Sequence, residues 1–106
     1  MKRAIVITSI FPPTEAVEAF ARRGDHRLIV VGDRKTPPGW ACSGATYVPV
    51  AEQESSPYSL ARRLPFNHYC RKMLGYLRAV DEGAEVIVDT DDDNIPKAGW
   101  SFPDFD

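Results

Sequence analysis

Apolar residues along this chain come in short unbroken runs, set apart by polar stretches rich in proline and glycine. Ala4-Ile5-Val6-Ile7-Thr8 and Arg27-Leu28-Ile29-Val30-Val31 are strand-length runs without polar alternation, the pattern of strands buried on both faces of a parallel sheet. Val86-Ile87-Val88 repeats the pattern near the far end, and Thr46 to Val50 reads as a further short strand. Between the first two runs Pro12-Pro13 interrupts extension, Thr14 is suited to cap a helix with Glu15 in its first turn, and Val17, Phe20 and Ala21 recur at helical spacing. Gly24 closes that helix. Gly32-Asp33 opens a polar loop through Pro37-Pro38-Gly39, and one or two loose helical turns are expected around Tyr58 to Arg63. From Phe66 to Glu82 there is no proline; Tyr69, Met73, Tyr76, Leu77 and Val80 fall on one stripe, so the longest helix is predicted here, ended by Gly83.

Strands alternating with helices predict an α/β fold: a three-layer, Rossmann-like parallel sheet whose ligands bind beyond the carboxyl ends of the strands. The polar candidates collect at those ends. Thr8 and Ser9 follow the first strand, Asp33 the second, and Asp91-Asp92-Asp93 the last. At 106 residues the chain is expected to be a single domain. Its 43% hydrophobic content and formal charge of −2 describe an ordinary globular chain without the basic surplus of a nucleic-acid binder. An anionic ligand must therefore be met by local groups. No apolar run approaches the roughly 20 residues of a membrane span. Met1-Lys2-Arg3 leads straight into a strand-length run, unlike a signal peptide, so the expected compartment is the cytoplasm. Cys42 and Cys70 lack metal-type spacing and read as reduced, partly buried thiols.

The acid cluster carries the chemistry. Asp91, Asp92 and Asp93, with Asp89 two residues before them, repel one another; two carboxylates ~4 Å apart cost about 4 kcal/mol at an effective dielectric near 20. A divalent ion relieves this best, because Mg²⁺-like ions take oxygen ligands and are commonly held by one or two carboxylates plus substrate phosphates. A plain solvated acidic loop is the competing reading. An EF-hand started at Asp89 puts Asn94 where glycine is needed and Trp100 where the bidentate glutamate belongs, which rejects it. Asp89-Thr90-Asp91 fits the minimal motif of a haloacid-dehalogenase-type phosphatase, but Asp92-Asp93 does not continue it. Arg71 and Lys72 divide between ligand contact and the exposed face of an amphipathic helix. Gly75 inside the helix points to close packing. Trp40, in its Gly/Pro loop, is a candidate cover for a base or sugar.

The run Leu64-Pro65-Phe66-Asn67-His68-Tyr69-Cys70-Arg71-Lys72-Met73-Leu74-Gly75-Tyr76-Leu77, followed by Gly83-Ala84 and the strand into Asp91-Asp92-Asp93, resembles the STELLO-type glycosyltransferase family. Gly32 with Thr36-Pro37, Trp40, Gly44-Ala45 and Glu52-Gln53 fit the same pattern. More distantly, the chain is similar to reversibly glycosylated polypeptides, which are nucleotide-sugar mutases. Both resemblances imply a glycosyltransferase A-type, nucleotide-diphospho-sugar-binding fold. They imply that Asp91 and Asp93 hold Mn²⁺ or Mg²⁺ on the diphosphate of a UDP- or GDP-sugar donor, with Asp92 toward sugar or ribose. They further imply that Thr8 and Ser9 line the nucleotide pocket, that Asp33 approaches base or ribose, and that Arg71 or Lys72 faces the diphosphate. Such folds continue past the acid cluster into strands carrying the acceptor site and a catalytic base. This sequence ends at Asp104-Phe105-Asp106, so the expectation is the N-terminal, nucleotide-binding half, with no catalytic base identified. It is either a metal-dependent glycosyltransferase domain or a non-catalytic binding or regulatory module, with the phosphatase a third reading. A half-fold leaves an apolar sheet end that a homodimer would cover.

Overall fold

In a computed structural model, which describes residues 2–55 and 71–96, four strands lie parallel in the order β3-β2-β1-β4: β1 Arg3–Thr8, β2 Arg27–Val31, β3 Ala45–Val48 and β4 Val86–Asp89. In register, Ile5 stands opposite Leu28 on one side and Val88 on the other, and Ile29 stands opposite Thr46. The absence of polar alternation in β1 and β2 has a direct cause, since both of their faces are covered. Ile5, Ile7, Leu28 and Val30 pack with Val17 and Phe20 of helix α1 (Glu15–Ala21) and with Trp40. Ala4, Val6, Ile29 and Val31 pack on the other face with Val48 and with Ala79 of helix α3 (Lys72–Asp81). The predicted Rossmann-like parallel α/β sheet is therefore present.

Local chemistry sets the helix ends. The Thr14 hydroxyl accepts the Val17 N–H at 3.2 Å, the N-cap expected of it. After α3 the chain turns at Gly83, whose φ of +87° is the left-handed conformation that glycine adopts without a Cβ clash. The Gly83 and Ala84 amides bond back to the Val80 and Ala79 carbonyls at 2.9 Å each.

Two expectations change. β3 stops at Val48, because Pro49 lacks an amide to donate to a ladder and instead precedes a short helix, α2 (Val50–Glu54). The apolar stripe of α3 is also rotated. Met73 and Val80 are exposed, whereas Lys72, Leu74, Gly75 and Ala79 are buried. Gly75 decides this orientation. A Cβ there would run into Val6 Cγ1 and lie 2.8 Å from Val31 Cγ2, so the helix rests on the sheet at its glycine. The expected helix start at Phe66, with Tyr69, and the turns around Tyr58 to Arg63 fall outside the described residues.

Candidate functional site

The carboxyl ends of β1, β2 and β4 frame a cleft of about 340 Å³ lined by Thr8, Ser9, Asp33 and Asp91–Asp93, together with Ile10, Phe11, Val31, Gly32 and Lys35. Six of the eight residues singled out at the strand ends and on the helix thus line one hollow. Buried Ser9 ties its parts together. Its hydroxyl donates to Asp92 Oδ2 at 2.7 Å and accepts the Phe11 N–H at 3.3 Å, while its carbonyl accepts from the Thr36 hydroxyl at 2.6 Å. Thr14, already capping α1, donates its hydroxyl to the Asp92 carbonyl at 2.5 Å. The acid tip is thereby stitched to β1 and to the start of α1.

On the β2 side the Gly32 amide bonds to the Val48 carbonyl at 2.9 Å. Thr36 closes a tight turn, receiving the Asp33 N–H on its hydroxyl at 2.8 Å and donating its own amide to the Asp33 carbonyl at 3.0 Å. The Asp33 carboxylate accepts the Arg34 amide at 2.7 Å. The sequence assigns no site role to Thr14, Thr36 or Lys35, although Thr36 belongs to the pattern that carries the family resemblance. Thr14 was read for its cap alone, and Thr36 and Lys35 sit in a loop without periodicity.

Arg71 and Lys72 are both buried, which overturns the reading of them as the exposed face of α3. The Lys72 ammonium donates to Asp89 Oδ1, to the Thr90 carbonyl at 3.0 Å and to Asp91 Oδ1 at 3.3 Å. Three donors meet three acceptors. The other oxygen of Asp89 accepts from the Tyr76 hydroxyl at 2.7 Å. Burial pushes the Asp89 carboxyl up, but its bonds from Lys72 and Tyr76 outweigh that and hold it below the usual carboxylate value. Tyr76, partly buried and facing the Asp89 charge, is pushed up to about 12. Asp89 itself is not part of the cleft wall.

Arg71 takes a different course. Its Nε and Nη2 donate to Gln53 Oε1 at 3.1 and 2.5 Å, and the Gln53 amide donates to the carbonyls of Gly32 and Val48 at 2.8 and 2.9 Å. The guanidinium lies behind the ends of β2 and β3 and does not line the cleft. Trp40 is likewise a core residue. It stacks on Tyr47 with ring centroids 4.7 Å apart and donates its indole N–H to the Phe11 carbonyl at 3.0 Å, so it does not cover the cleft.

Among the described residues no three His, Cys, Asp or Glu side chains converge into a closed metal cage. Asp91 and Asp93 are exposed at the cleft edge. That arrangement suits an ion held by one or two carboxylates and completed by water and phosphate oxygens, and it does not suit a structural site. No helix among the described residues is long and apolar enough to cross a membrane.

No protein-family profile matches the chain. Two proteins of Arabidopsis thaliana do: it is 31% identical over 88 residues, 83% of its length, to the probable glycosyltransferase STELLO2, and 30% identical over 88 residues, also 83%, to the probable glycosyltransferase STELLO1. The chain is a STELLO relative. It spans only 12% and 11% of the length of those two proteins. The STELLO relationship agrees with the resemblance carried by the segment leading through α3 and β4 into Asp91–Asp93.

Proposed function

We propose that this chain is the nucleotide-sugar-binding, N-terminal part of a glycosyltransferase A-type fold, and that it seats the diphosphate of a UDP- or GDP-sugar on Mn²⁺ or Mg²⁺ at Asp91 and Asp93. The observation that carries the reading is the position of the acid tip. It closes a cleft at the carboxyl ends of three parallel strands, where ligands of such sheets bind. The relationship to probable glycosyltransferases supports the same donor class. The oxygen-only donor set and the exposure of Asp91 and Asp93 fit a hard divalent cation that shares its coordination with phosphate. When bound, that ion offsets charge on the departing nucleoside diphosphate.

The chain's own residues supply the frame. Ser9 and Thr14 fix Asp92, Lys72 fixes Asp91, and the Asp33–Thr36 turn forms the opposite wall beside Lys35. The phosphatase reading has less support, since Asp89, its nucleophile, is outside the cleft wall and has both oxygens engaged by Lys72 and Tyr76.

A melting-temperature measurement tests the proposal. A UDP- or GDP-sugar is expected to raise the melting temperature only when Mn²⁺ or Mg²⁺ is present, and Asp91→Asn or Asp93→Asn is expected to remove the shift. Equal shifts without the metal would refute the role of the acid tip.

A further inference from the structure

The side chain of Lys72 is only 10% accessible, and its ammonium bonds to the base of the exposed acid tip. A lysine at such a place has two physically opposite uses. It either neutralises surplus negative charge or holds a carboxylate in position. Its bonding pattern discriminates between them. A neutralising cation needs only nearness, whereas Lys72 spends one donor on the backbone carbonyl of Thr90 and the other two on single oxygens of Asp89 and Asp91. Thr90 is the residue between those carboxylates, so three consecutive residues are gripped from one point. Asp89 is gripped a second time by Tyr76, so each of its oxygens has a partner. The grip is itself rigid, because α3 is seated on the sheet through Gly75, three residues along from Lys72.

We propose that Lys72 is a positioning residue: by holding Asp89, the Thr90 carbonyl and one oxygen of Asp91, it aims the remaining oxygen of Asp91 into the cleft for the divalent cation. This rests on the metal reading given above. Carboxylates that ligate metals are commonly oriented by a hydrogen bond to a second group, and loss of that group typically costs about ten- to a hundredfold in metal affinity. Lys72 is not among the residues lining the cleft, so in this proposal it acts through Asp91 and not on the diphosphate.

Calorimetric titration of Mn²⁺ in the presence of UDP separates the possibilities, using the full 106-residue chain and its Lys72→Met and Lys72→Arg variants. The positioning role requires Lys72→Met to bind Mn²⁺ about ten- to a hundredfold more weakly, although the substitution removes a positive charge next to the ion. Lys72→Arg, which keeps the charge and changes the geometry, is expected to fall between the two. A lysine that only neutralised the tip would give the reverse, with Mn²⁺ bound more tightly by Lys72→Met and unchanged in Lys72→Arg, and that result overturns the proposal. Where Lys72→Met does not fold, as judged by circular dichroism, Lys72→Arg carries the test alone, and wild-type affinity in that variant overturns it. Mn²⁺ failing to bind the wild-type chain refutes the metal reading and this inference together, whereas wild-type binding with unaltered variants refutes the inference alone.

Discussion

Gln53 is the residue with the most consequence for its size. Fully buried, it turns its carbonyl oxygen to Arg71 and its amide to the Gly32 and Val48 carbonyls, so one side chain satisfies a buried guanidinium and the ends of two strands. Leucine at this position would keep the volume and remove all of these bonds. Leaving buried polar partners unsatisfied costs about 1–3 kcal/mol each, more where one is charged. Gln53→Leu is therefore expected to lose about 3 kcal/mol of stability in chemical denaturation; a loss below ~0.5 kcal/mol, the range of an indifferent surface change, would contradict this bonding. Asp89 gives a pH dependence. Its carboxyl is held below the ordinary 3.8 by Lys72 and Tyr76, so on acidification the unfolded chain takes up the proton first. The stabilisation is whole above the ordinary value and is lost as pH falls through the lowered one. The stability difference between wild type and Asp89→Asn is expected to be present at neutral pH and to vanish in acid, and a difference that persists unchanged down to pH ~2 would contradict the assignment. At this scale the sequence was legible where a residue's role was local. Thr14 as a cap, Gly83 as a helix end and Ser9 as a strand-end polar group were all readable. Gln53, Arg71 and Trp40 were not, because their partners are distant in the chain and a buried polar bond leaves no periodic trace.

Among the elements, β1 and β2 were the plainest to read, since strands covered on both faces have no alternation to confuse. α3 was the hardest. Its exposed side carries Met73 and Val80 and its buried side carries Lys72 and Gly75, with buried Arg71 just before it, so hydrophobicity alone turned the helix the wrong way. The glycine decided the contact. Gly75→Ala tests that directly. Alanine brings ~1 kcal/mol of helix propensity, but its methyl would collide with Val6 and press on Val31, both fully buried. Overpacking of this kind typically costs 1–3 kcal/mol. A net loss of about 1 kcal/mol or more is expected from thermal unfolding; a variant more stable than wild type would mean that α3 does not rest on the sheet here. β3 was placed too long because Val50 continues the apolar run, and only Pro49 marks where the ladder gives way to α2.

Among the described residues each end of the sheet carries a hollow, and volume alone would favour the one at the amino ends of the strands. The larger hollow, about 570 Å³, lies at the amino ends of the strands among Arg3, His26 and Arg27. There Arg27 is paired with Glu82 at 3.0 Å. The acid-tipped cleft lies at the other end, where parallel strands open toward their ligands. Paramagnetic broadening by Mn²⁺ in the presence of UDP, read from the backbone amide resonances of the isotopically labelled chain, tests the central claim most directly. The account predicts selective loss of the Thr8, Ser9, Gly32, Asp33 and Asp91–Asp93 signals while those of Arg3, Arg27 and Gly83 persist. Broadening centred on Arg3 and Arg27, or uniform along the chain, would contradict it.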